Sequence, residues 1–328
     1  MPFALPCLFI ALWLPASAVA LILGEPFAAH YSVRDLGEPP GAIGNLGGLT
    51  FAPGELGSLL IGGGATSLRA AVYTVPLTRD AEGHIEAFAG PAELVASASG
   101  VSGGIDGGLA YGPGGVLFYT TYRDNQLGQI RPGSSAPDRL IDLGQLGVGR
   151  STGALQFVPP GFAGAGRLKL LSFNFGRWYD ASVAPDGNGT FDVNLSGTDV
   201  FIGGGPEGVV YIAAGNPGFE RDSVLVSEWS LGRVVAYEVD ANGDPIVATR
   251  RVFLDELSSA QGAAIDPVTG DFLFSKYAGD DRGVIVVGGF APPRAVPLPS
   301  TWGLLAVAVG VLGRVGRWRR DLTARRAG

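Results

Sequence analysis

The segment Gly47-Gly48-Leu49-Thr50-Phe51-Ala52-Pro53 decides the fold of this chain, because the chain repeats it. The fullest repeat is Gly107-Gly108-Leu109-Ala110-Tyr111-Gly112-Pro113, and shorter versions begin at Gly153, Gly208 and Gly262. Each copy leads, after a short turn that contains glycine, into a second apolar run. These runs cover Ser58 to Ile61, Gly115 to Thr120, Arg167 to Phe173, Ser223 to Ser227 and Asp271 to Ser275. The mean spacing is about 54 residues, and a period of this size built from short strands is typical of a β-propeller.

Polar turns recur with the same period and divide each repeat further. They read Asp80-Ala81-Glu82-Gly83, Arg131-Pro132-Gly133-Ser134, Asp186-Gly187-Asn188-Gly189 and Asp240-Ala241-Asn242-Gly243. The segments on either side of the last turn, Val234 to Val239 and Ile246 to Phe253, alternate in the manner of paired strands. Each repeat therefore predicts an inner strand, a second strand, a third strand, a turn and a fourth strand, which together form one blade.

Five repeats predict an all-β chain with five four-stranded blades. Six blades are an alternative if the long first repeat contains a degenerate blade, and a β-sandwich with coincidental spacing is another. The fifth repeat lacks a fourth strand, because Gly283-Val284-Ile285-Val286-Val287 is soon followed by Pro292-Pro293. The segment from Tyr31 to Leu36 resembles the fourth strands at Asp138 to Leu143 and Arg251 to Asp255. We therefore expect the N-terminal strand to complete the last blade, which leaves no long unpaired edge.

The charge of the chain argues against two classes of partner. The last 15 residues contain six arginines and one acid, so the rest of the chain keeps 17 of the 23 basic residues and 29 of the 30 acidic ones. A body this acidic does not suit nucleic acid or anionic lipid, because both require a cationic surface. With 53 glycines and only two lysines, Lys169 and Lys276, the composition favours tight turns over exposed helices.

The first 20 residues are typical of a signal peptide, and we expect a signal helix there. Leu5 to Val19 is apolar and ends in Ala16-Ser17-Ala18 or Ala18-Val19-Ala20, the small residues that signal peptidase recognises. An uncleaved N-terminal anchor is the alternative. Cys7, the only cysteine, lies in this segment. The mature chain would therefore have no cysteine for a disulfide, a catalytic thiolate or a metal site.

The C-terminal end carries a second targeting pattern. Val296-Pro297-Leu298-Pro299 precedes the apolar segment Thr301 to Leu312, and the chain then becomes basic at Arg317-Trp318-Arg319-Arg320. Counted from Val296, the apolar part is about 17 residues long, the short limit of a transmembrane helix, and the arginines beside it favour a cytoplasmic end. These residues resemble the PEP-CTERM sorting signal, which exosortases process in Gram-negative bacteria that produce exopolysaccharide. Leu298 stands where that signal has its glutamate.

The resemblance implies a route for the whole chain. Residues 1–20 would be a signal peptide, residues 21–295 the propeller domain, and residues 296–328 a sorting signal with a transmembrane helix and a basic tail. Signal peptidase and an exosortase would be the processing partners, and the C-terminal helix would hold the chain in the inner membrane until processing. The implied location is the outer surface or extracellular matrix of a Gram-negative bacterium. A plain C-terminal membrane anchor is the alternative.

The functional groups of a propeller usually lie where the inner strands begin. Those positions are Asn45, Asp106, Ser151 with Thr152, Glu207 and Gln261. Carboxylates among neutral oxygen donors could hold a hard cation such as Ca²⁺, with Asp106, Glu207, Asn45 and Gln261 as the metal ligands. Asp106 and Glu207 could equally act as the acid and base of a hydrolase. The structural alternative is that all these groups only hydrogen-bond channel water and strand ends.

Aromatic residues cluster just after the second strands. They are Tyr119, Tyr122, Phe173, Phe175, Trp178, Tyr179, Trp229 and Tyr277. If these loops share one face, the rings form a surface suited to sugar rings or to a partner protein. The alternative is that they pack between blades.

Two functions remain open from the sequence. The favoured one is a non-enzymatic, exported propeller that binds polysaccharide or a surface protein, which accounts for the sorting tail and for the lack of a clear catalytic set. The alternative is a calcium-dependent hydrolase or lactonase in the channel, which requires Asp106 and Glu207 to converge. No cofactor other than calcium is predicted.

Overall fold

The computed structural model describes residues 21–41, 43–277, 279 and 282–293. Within them the chain forms five antiparallel sheets, and the inner strand of each sheet packs against the inner strand of the next. The fifth inner strand packs against the first, so the sheets close into a ring. The fold is therefore a five-bladed β-propeller, as the repeats predicted. The described residues form neither a sixth blade nor a sandwich of two sheets.

The strands follow the predicted repeats. Two short strands come first and join later sheets: β1 (Ile22–Leu23) and β2 (Ser32–Asp35). Blade 1 has β3 (Leu49–Thr50), β4 (Ser58–Gly63), β5 (Ala71–Arg79), β6 (Ile85–Phe88) and β7 (Glu93–Ser97). Blade 2 has β8 (Ile105–Tyr111), β9 (Leu117–Thr121), β10 (Gln126–Ile130) and β11 (Arg139–Asp142). Blade 3 has β12 (Thr152–Phe157), β13 (Leu168–Ser172), β14 (Arg177–Pro185) and β15 (Phe191–Phe201).

The last two blades complete the ring. Blade 4 has β16 (Pro206–Ile212), β17 (Ser223–Glu228), β18 (Arg233–Glu238) and β19 (Arg251–Asp255). Blade 5 has β20 (Ala260–Ile265), β21 (Phe272–Lys276) and β22 (Gly283–Gly288). Single turns of 3-10 helix occur at Phe27–Ala29, Pro113–Gly115, Trp229–Leu231 and Val247–Thr249.

Burial explains the different sequence patterns of the strands. Every residue of the second strands β9, β13, β17 and β21 is buried. These strands are covered on both faces by neighbouring blades, so their sequences are continuous runs and do not alternate. The outer strand β11 alternates between half-buried and exposed residues, as expected of a strand with one face in solvent. The four predicted polar turns each connect a third strand to an outer strand.

The N-terminal strand closes the ring. β2 pairs antiparallel with β22, with Ser32 opposite Gly288 and Asp35 opposite Ile285. It supplies the fourth strand that the fifth repeat lacks, which confirms the predicted closure. The edge of blade 5 is thereby paired within the same chain.

The N-terminal segment is also anchored in blade 4. β1 pairs with β19 as a fifth strand of that blade, which the sequence did not predict because two residues show no periodicity. Between β1 and β2, Phe27 packs with its ring centre 5.0 Å from those of Phe219 and Phe253. The ring centres of Tyr31 and Phe290 lie 4.4 Å apart in the same cluster. Apolar burial therefore reinforces the strand pairing at the closure.

The long first repeat has a simpler explanation than a hidden blade. Its outer strand is broken into β6 and β7, and both pair with the nine-residue strand β5. The break falls at Ala89-Gly90-Pro91-Ala92, where proline cannot continue a ladder.

Glycine allows the five inner strands to meet at the axis. The equivalent positions are Gly48, Gly108, Gly153, Gly208 and Gly262. A Cβ atom added at Gly262 would lie 2.5 Å from the Cα of Gly48, and one added at Gly48 would lie 2.5 Å from the Cβ of Leu109. Each glycine abuts the next inner strand in this way, and the fifth abuts the first. Any side chain at these positions would push adjacent blades apart.

Buried hydroxyls tie neighbouring inner strands together. The Thr120 hydroxyl in blade 2 accepts a hydrogen bond from the Gly108 N–H (3.1 Å) and donates to the Gly153 carbonyl of blade 3 (2.9 Å). In blade 5 the Ser275 hydroxyl accepts from the Gly262 N–H (2.9 Å) and donates to the carbonyl of Gly47 in blade 1 (2.7 Å). The second pair crosses the seam where the ring closes.

A buried ion pair joins blades 3 and 4. Lys169 is fully buried, and its Nζ lies 2.6 Å from Asp180 Oδ1 and 2.5 Å from Asp244 Oδ1. Asp244 follows the predicted polar turn of blade 4, and its carboxylate also accepts a hydrogen bond from Trp178 Nε1 (2.8 Å). Burial lowers the pKa of Lys169, and the Asp244 carboxylate opposes that effect. One of the two lysines of the chain therefore serves the blade interface.

The two predicted targeting segments lie outside the described residues. The signal helix falls in residues 1–20, and the C-terminal transmembrane helix and sorting motif fall in residues 296–328. In the part of the chain that is described, no helix has the length and apolar character needed to cross a membrane.

The axial packing predicts that Gly262→Ala destabilises the propeller. The new Cβ would overlap the backbone of blade 1, and overpacking of this kind typically costs about 1–3 kcal/mol. Urea denaturation would measure the change in the free energy of unfolding. The matched control is Gly57→Ala, because a Cβ added at Gly57 has no atom within 4 Å. Equal stability of the two variants would show that the axis tolerates side chains.

Candidate functional site

A cavity of about 320 Å³ opens at one end of the propeller axis. Its floor is formed by Asp106, Glu207 and Gln261, which lie at the starts of β8, β16 and β20. All three side chains are buried. The sequence predicted these three positions as channel residues, and the structure brings them together.

One amide connects the two carboxyl groups of the floor. Gln261 Nε2 lies 2.7 Å from Asp106 Oδ1 and 3.5 Å from Glu207 Oε2. The carboxyl groups are therefore well within the roughly 10 Å that separates catalytic carboxylate pairs. Oδ2 of Asp106 is buried and receives no N–H or hydroxyl hydrogen bond within the described residues. The side chains of Asp106 and Glu207 contact each other, and a proton held between them satisfies both groups.

Burial raises the pKa of both carboxyl groups of the floor. Removal from water raises the pKa of Asp106 to about 7, although hydrogen bonds from Gln261 and the Gly107 N–H oppose the shift. Burial also raises the pKa of Glu207 well above its ordinary value, and the adjacent Asp106 charge raises it further. Because the groups interact, they titrate as a pair. The floor is therefore far less negative than two free carboxylates would be.

Aromatic rings form the wall of the cavity. Tyr122, Phe173, Trp229 and Tyr277 each follow directly after the second strand of their blade, so one ring comes from each of blades 2 to 5. The rings of Phe173 and Trp229 meet edge to face with centres 5.8 Å apart. Thr66 takes the equivalent place in blade 1, and its hydroxyl lies 2.8 Å from the Tyr277 hydroxyl. The wall therefore has one contribution from every blade.

The predicted aromatic set divides into two groups. Tyr122 and Trp229 are 37% and 36% exposed, and Phe173 and Tyr277 are half-buried, so these four present ring surface to the cavity. The other predicted rings do not line it: Tyr119, Trp178 and Tyr179 are buried in the blades, and Phe175 is exposed outside the cavity. The buried rings sit within strands, where the alternation of faces turns them into the blade interface.

Three predicted channel residues have other roles. Ser151 accepts and donates hydrogen bonds in the loop before β12, and Thr152 donates its N–H and hydroxyl to Asn125 Oδ1, both at 2.8 Å. Asn45 does not line the cavity. Its carbonyl accepts the N–H of Ala65, which holds the loop that carries Thr66. Polar residues at the same repeat position thus serve either the cavity or the backbone around it.

The donor set of the cavity does not match a calcium site. Ca²⁺ takes six to eight oxygen ligands, mostly from ionised carboxylates and carbonyls. Here the floor offers only two carboxyl groups, Gln261 presents its amide nitrogen to them, and Asn45 is absent from the lining. In the described residues no group of three or more His, Cys, Asp or Glu side chains could hold a metal ion.

Strained backbone surrounds the mouth of the cavity. Among the described residues, five other than glycine have positive φ angles: Thr66, Arg123, Asn125, Glu256 and Ser259. All five lie in loops that lead into an inner strand or connect a second strand to a third, at the end of the axis where the cavity opens. Such strain costs about 1–3 kcal/mol per residue and concentrates at functional sites. This strain could not be predicted from the sequence, since none of these residues is glycine.

Comparisons with known proteins give weak similarities to solved structures and no match in sequence. No model of a known protein family and no curated protein matches this chain in sequence. Among solved structures, it is similar to the PQQ-bound aldose sugar dehydrogenase of Streptomyces coelicolor, at 14% identity and a TM-score of 0.39 over 77% of this chain and 82% of that one.

Two further structures have a comparable similarity. An auxiliary nutrient binding protein of Bacteroides thetaiotaomicron is 11% identical, with a TM-score of 0.44 over 79% of this chain and 76% of that one. A streptogramin B lyase is 10% identical, with a TM-score of 0.40 over 79% and 98% of the two chains. At these scores the similarities carry no argument about what the cavity binds.

The buried carboxyl pair predicts an unusual dependence of stability on pH. Because the folded state holds a proton that the unfolded chain releases near pH 4, the pair stabilises the fold at low pH, and this contribution is lost as pH rises through about 7. Asp106→Asn removes one titrating group. Between pH 5 and pH 8 the free energy of unfolding of this variant should therefore fall less than that of the wild type, and the two decreases should differ by an amount on the order of a few kcal/mol. Urea denaturation at both pH values measures the difference.

A variant at an exposed acid serves as the control for this prediction. Glu55→Gln, in the turn between β3 and β4, should leave the pH profile of wild-type stability unchanged. Parallel profiles for wild type and Asp106→Asn would mean that the floor carboxyls titrate as in water.

Proposed function

We propose that this protein is a non-enzymatic binding protein whose axial cavity holds one sugar ring. The observation that carries the proposal is the wall of four aromatic rings directly above a buried polar floor. A sugar has flat C–H faces and a polar edge of hydroxyl groups. The wall offers apolar ring surface to the faces, and the floor offers hydrogen bonds to the edge.

The chemistry of the floor suits neutral hydroxyl groups. A hydroxyl is both a donor and an acceptor, and it needs partners of both kinds when it is buried. The oxygens of Asp106 and Glu207 provide acceptors, and the hydroxyls of Thr66, Tyr122 and Tyr277 in the wall can both donate and accept. A cation would instead require the pair to lose its proton.

The size of the cavity limits the ligand. A volume of about 320 Å³ is at the lower end of small-molecule sites, which span roughly 300–1,000 Å³. The cavity therefore has room for one ring, and any further residues of a polymer would lie across the rim outside it. Trp229 and Tyr122, the most exposed rings of the wall, are placed for that contact.

A hydrolase is the second candidate, and the carboxyl pair is the observation that favours it. Two adjacent carboxyls with raised pKa values are a common arrangement for acid and base catalysis. Burial raises the pKa of both Asp106 and Glu207, so one of them would act as the acid and the other as the base. Because the donor set does not match calcium, this candidate is an enzyme without a metal. Hydrolysis of p-nitrophenyl glycosides or of a lactone that Glu207→Gln abolishes would establish it.

We also propose that the chain is exported and sorted by its two ends. The apolar segment before Ala20 and the tail from Val296 to Arg320 support this route. β1 begins at Ile22, directly after the proposed signal peptidase site, so cleavage there would leave the propeller intact. N-terminal sequencing of protein expressed in a Gram-negative host should give a chain that begins at residue 19 or 21, and retention of Met1 would contradict the proposal.

The sugar-binding proposal predicts that Trp229→Ala weakens binding. Loss of one stacking ring should reduce affinity about 5- to 30-fold, equivalent to about 1–2 kcal/mol. Isothermal titration calorimetry with glucose, galactose, mannose and N-acetylglucosamine would measure the change. Phe175→Ala is the matched control, because Phe175 is 55% exposed yet lies outside the cavity. Absence of binding by all these sugars, or equal losses in both variants, would refute a sugar site in the cavity.

A further inference from the structure

Three arginines around the cavity mouth have no partner among the described residues. Arg69, Arg123 and Arg150 are exposed, and their side chains make no ion pair or hydrogen bond there. Elsewhere in the described ranges each arginine is paired with a carboxylate, except Arg251, which donates to a carbonyl. Both lysines are also ion-paired. Within the described part of the chain, the arginines whose side chains have neither an ion pair nor a hydrogen bond therefore all lie at the cavity end of an acidic protein.

The three arginines belong to the loops that build the site. Arg69 lies in the loop between β4 and β5, which also carries Thr66 of the cavity wall. Arg123 follows Tyr122 directly, between β9 and β10. Arg150 lies in the loop that leads from β11 into β12. Blades 1 to 3 thus carry a row of cations beside the aromatic wall.

Exposed apolar side chains lie in the same set of loops. They are Leu68, Val101, Leu146 and Phe175, which are 61%, 72%, 37% and 55% exposed. Leu68 precedes Arg69 directly. The surface therefore alternates apolar groups with single, separated cations.

Two acids near these loops accept backbone N–H groups and form no ion pair with the three arginines. The carboxylate of Asp124, the neighbour of Arg123, is held by the N–H groups of Ser102 and Gly103 at 2.7 and 3.0 Å. Asp142, in the outer strand of blade 2, accepts the Gly144 N–H at 2.8 Å. The arginine side chains remain available to a ligand.

We propose that this face binds an acidic polysaccharide, with uronate carboxylates on Arg69, Arg123 and Arg150 while one ring of the chain occupies the cavity. The proposal rests on the proposed sugar-binding function and adds the charge and the length of the ligand. Guanidinium groups pair with carboxylates through two parallel hydrogen bonds. Single cations separated by apolar groups match a polymer that carries about one charge per ring. Duplex nucleic acid, with a charge every ~1.7 Å, would need a dense cationic surface that the described chain lacks.

The test compares two polymers with one backbone. The full-length protein is titrated with polygalacturonate and with its fully methyl-esterified form, at 50 mM and 500 mM NaCl. Polygalacturonate should bind at least tenfold more tightly at low salt, and the difference should shrink at high salt because exposed ion pairs are screened. Equal binding of the two polymers would overturn the proposal.

Arginine variants test the assignment of the surface. Arg69→Gln, Arg123→Gln and Arg150→Gln should each weaken polygalacturonate binding about two- to fivefold, the range of an exposed charge pair. Arg221→Gln is the matched control, because its side chain is 74% exposed and lies in the loop between β16 and β17, at the other end of the blades. If Arg221→Gln has the same effect, the contact is general attraction and the proposal fails.

Further readouts separate this proposal from the sugar site itself. Trp229→Ala should weaken the binding of both polymers, whereas the arginine variants should weaken only that of polygalacturonate. If Trp229→Ala loses monosaccharide binding while the arginine variants bind polygalacturonate as tightly as the wild type, the sugar site in the cavity is supported and the proposal of an acidic ligand is overturned. Poly-L-glutamate or duplex DNA that binds as tightly as polygalacturonate would also overturn it, since any polyanion would then suffice. Absence of binding by every polymer overturns the acidic ligand, and the monosaccharide titrations then decide separately whether the sugar site in the cavity stands.

Discussion

The structure depends on the absence of a side chain at one position of each inner strand. At Gly48, Gly108, Gly153, Gly208 and Gly262, a Cβ would overlap the neighbouring blade, so glycine sets how closely the five strands approach the axis. This close approach has a direct consequence for the cavity, because it brings together Asp106, Glu207 and Gln261, which lie one or two residues before the glycines of blades 2, 4 and 5. The same packing that closes the ring therefore forms the site.

Two glycines also shape the floor of the site. A Cβ on Gly107 would lie 2.8 Å from Glu207 Oε2, and a Cβ on Gly153 would lie 2.7 Å from the same atom. Glu207 is thus enclosed by backbone and excluded from bulk water, and this enclosure raises its pKa. Close packing at the axis therefore encloses the floor carboxyls, and this enclosure underlies the preference for neutral hydroxyl groups that we propose.

Much of this arrangement could be predicted from the sequence, since it repeats in every blade. The spacing of the glycine motifs predicted five blades, and the missing fourth strand of the last repeat predicted the closure by β2. Asp106, Glu207 and Gln261 could be placed together because they open equivalent strands. The place of Asn45 could not be predicted, because in blade 1 the cavity position passes to Thr66 in a neighbouring loop. Loop conformation and side-chain direction decide such details, and repeat spacing does not encode them.

The most direct test of this account is a crystal structure of the protein soaked with glucose, galactose and mannose. The account predicts a sugar ring in the axial cavity, stacked on Trp229, with its hydroxyls bonded to Asp106 and Gln261. It also predicts that the two floor carboxyls stay close enough to share Gln261 Nε2. A sugar bound elsewhere, or carboxyl groups separated beyond hydrogen-bonding reach of that amide, would contradict the central claim.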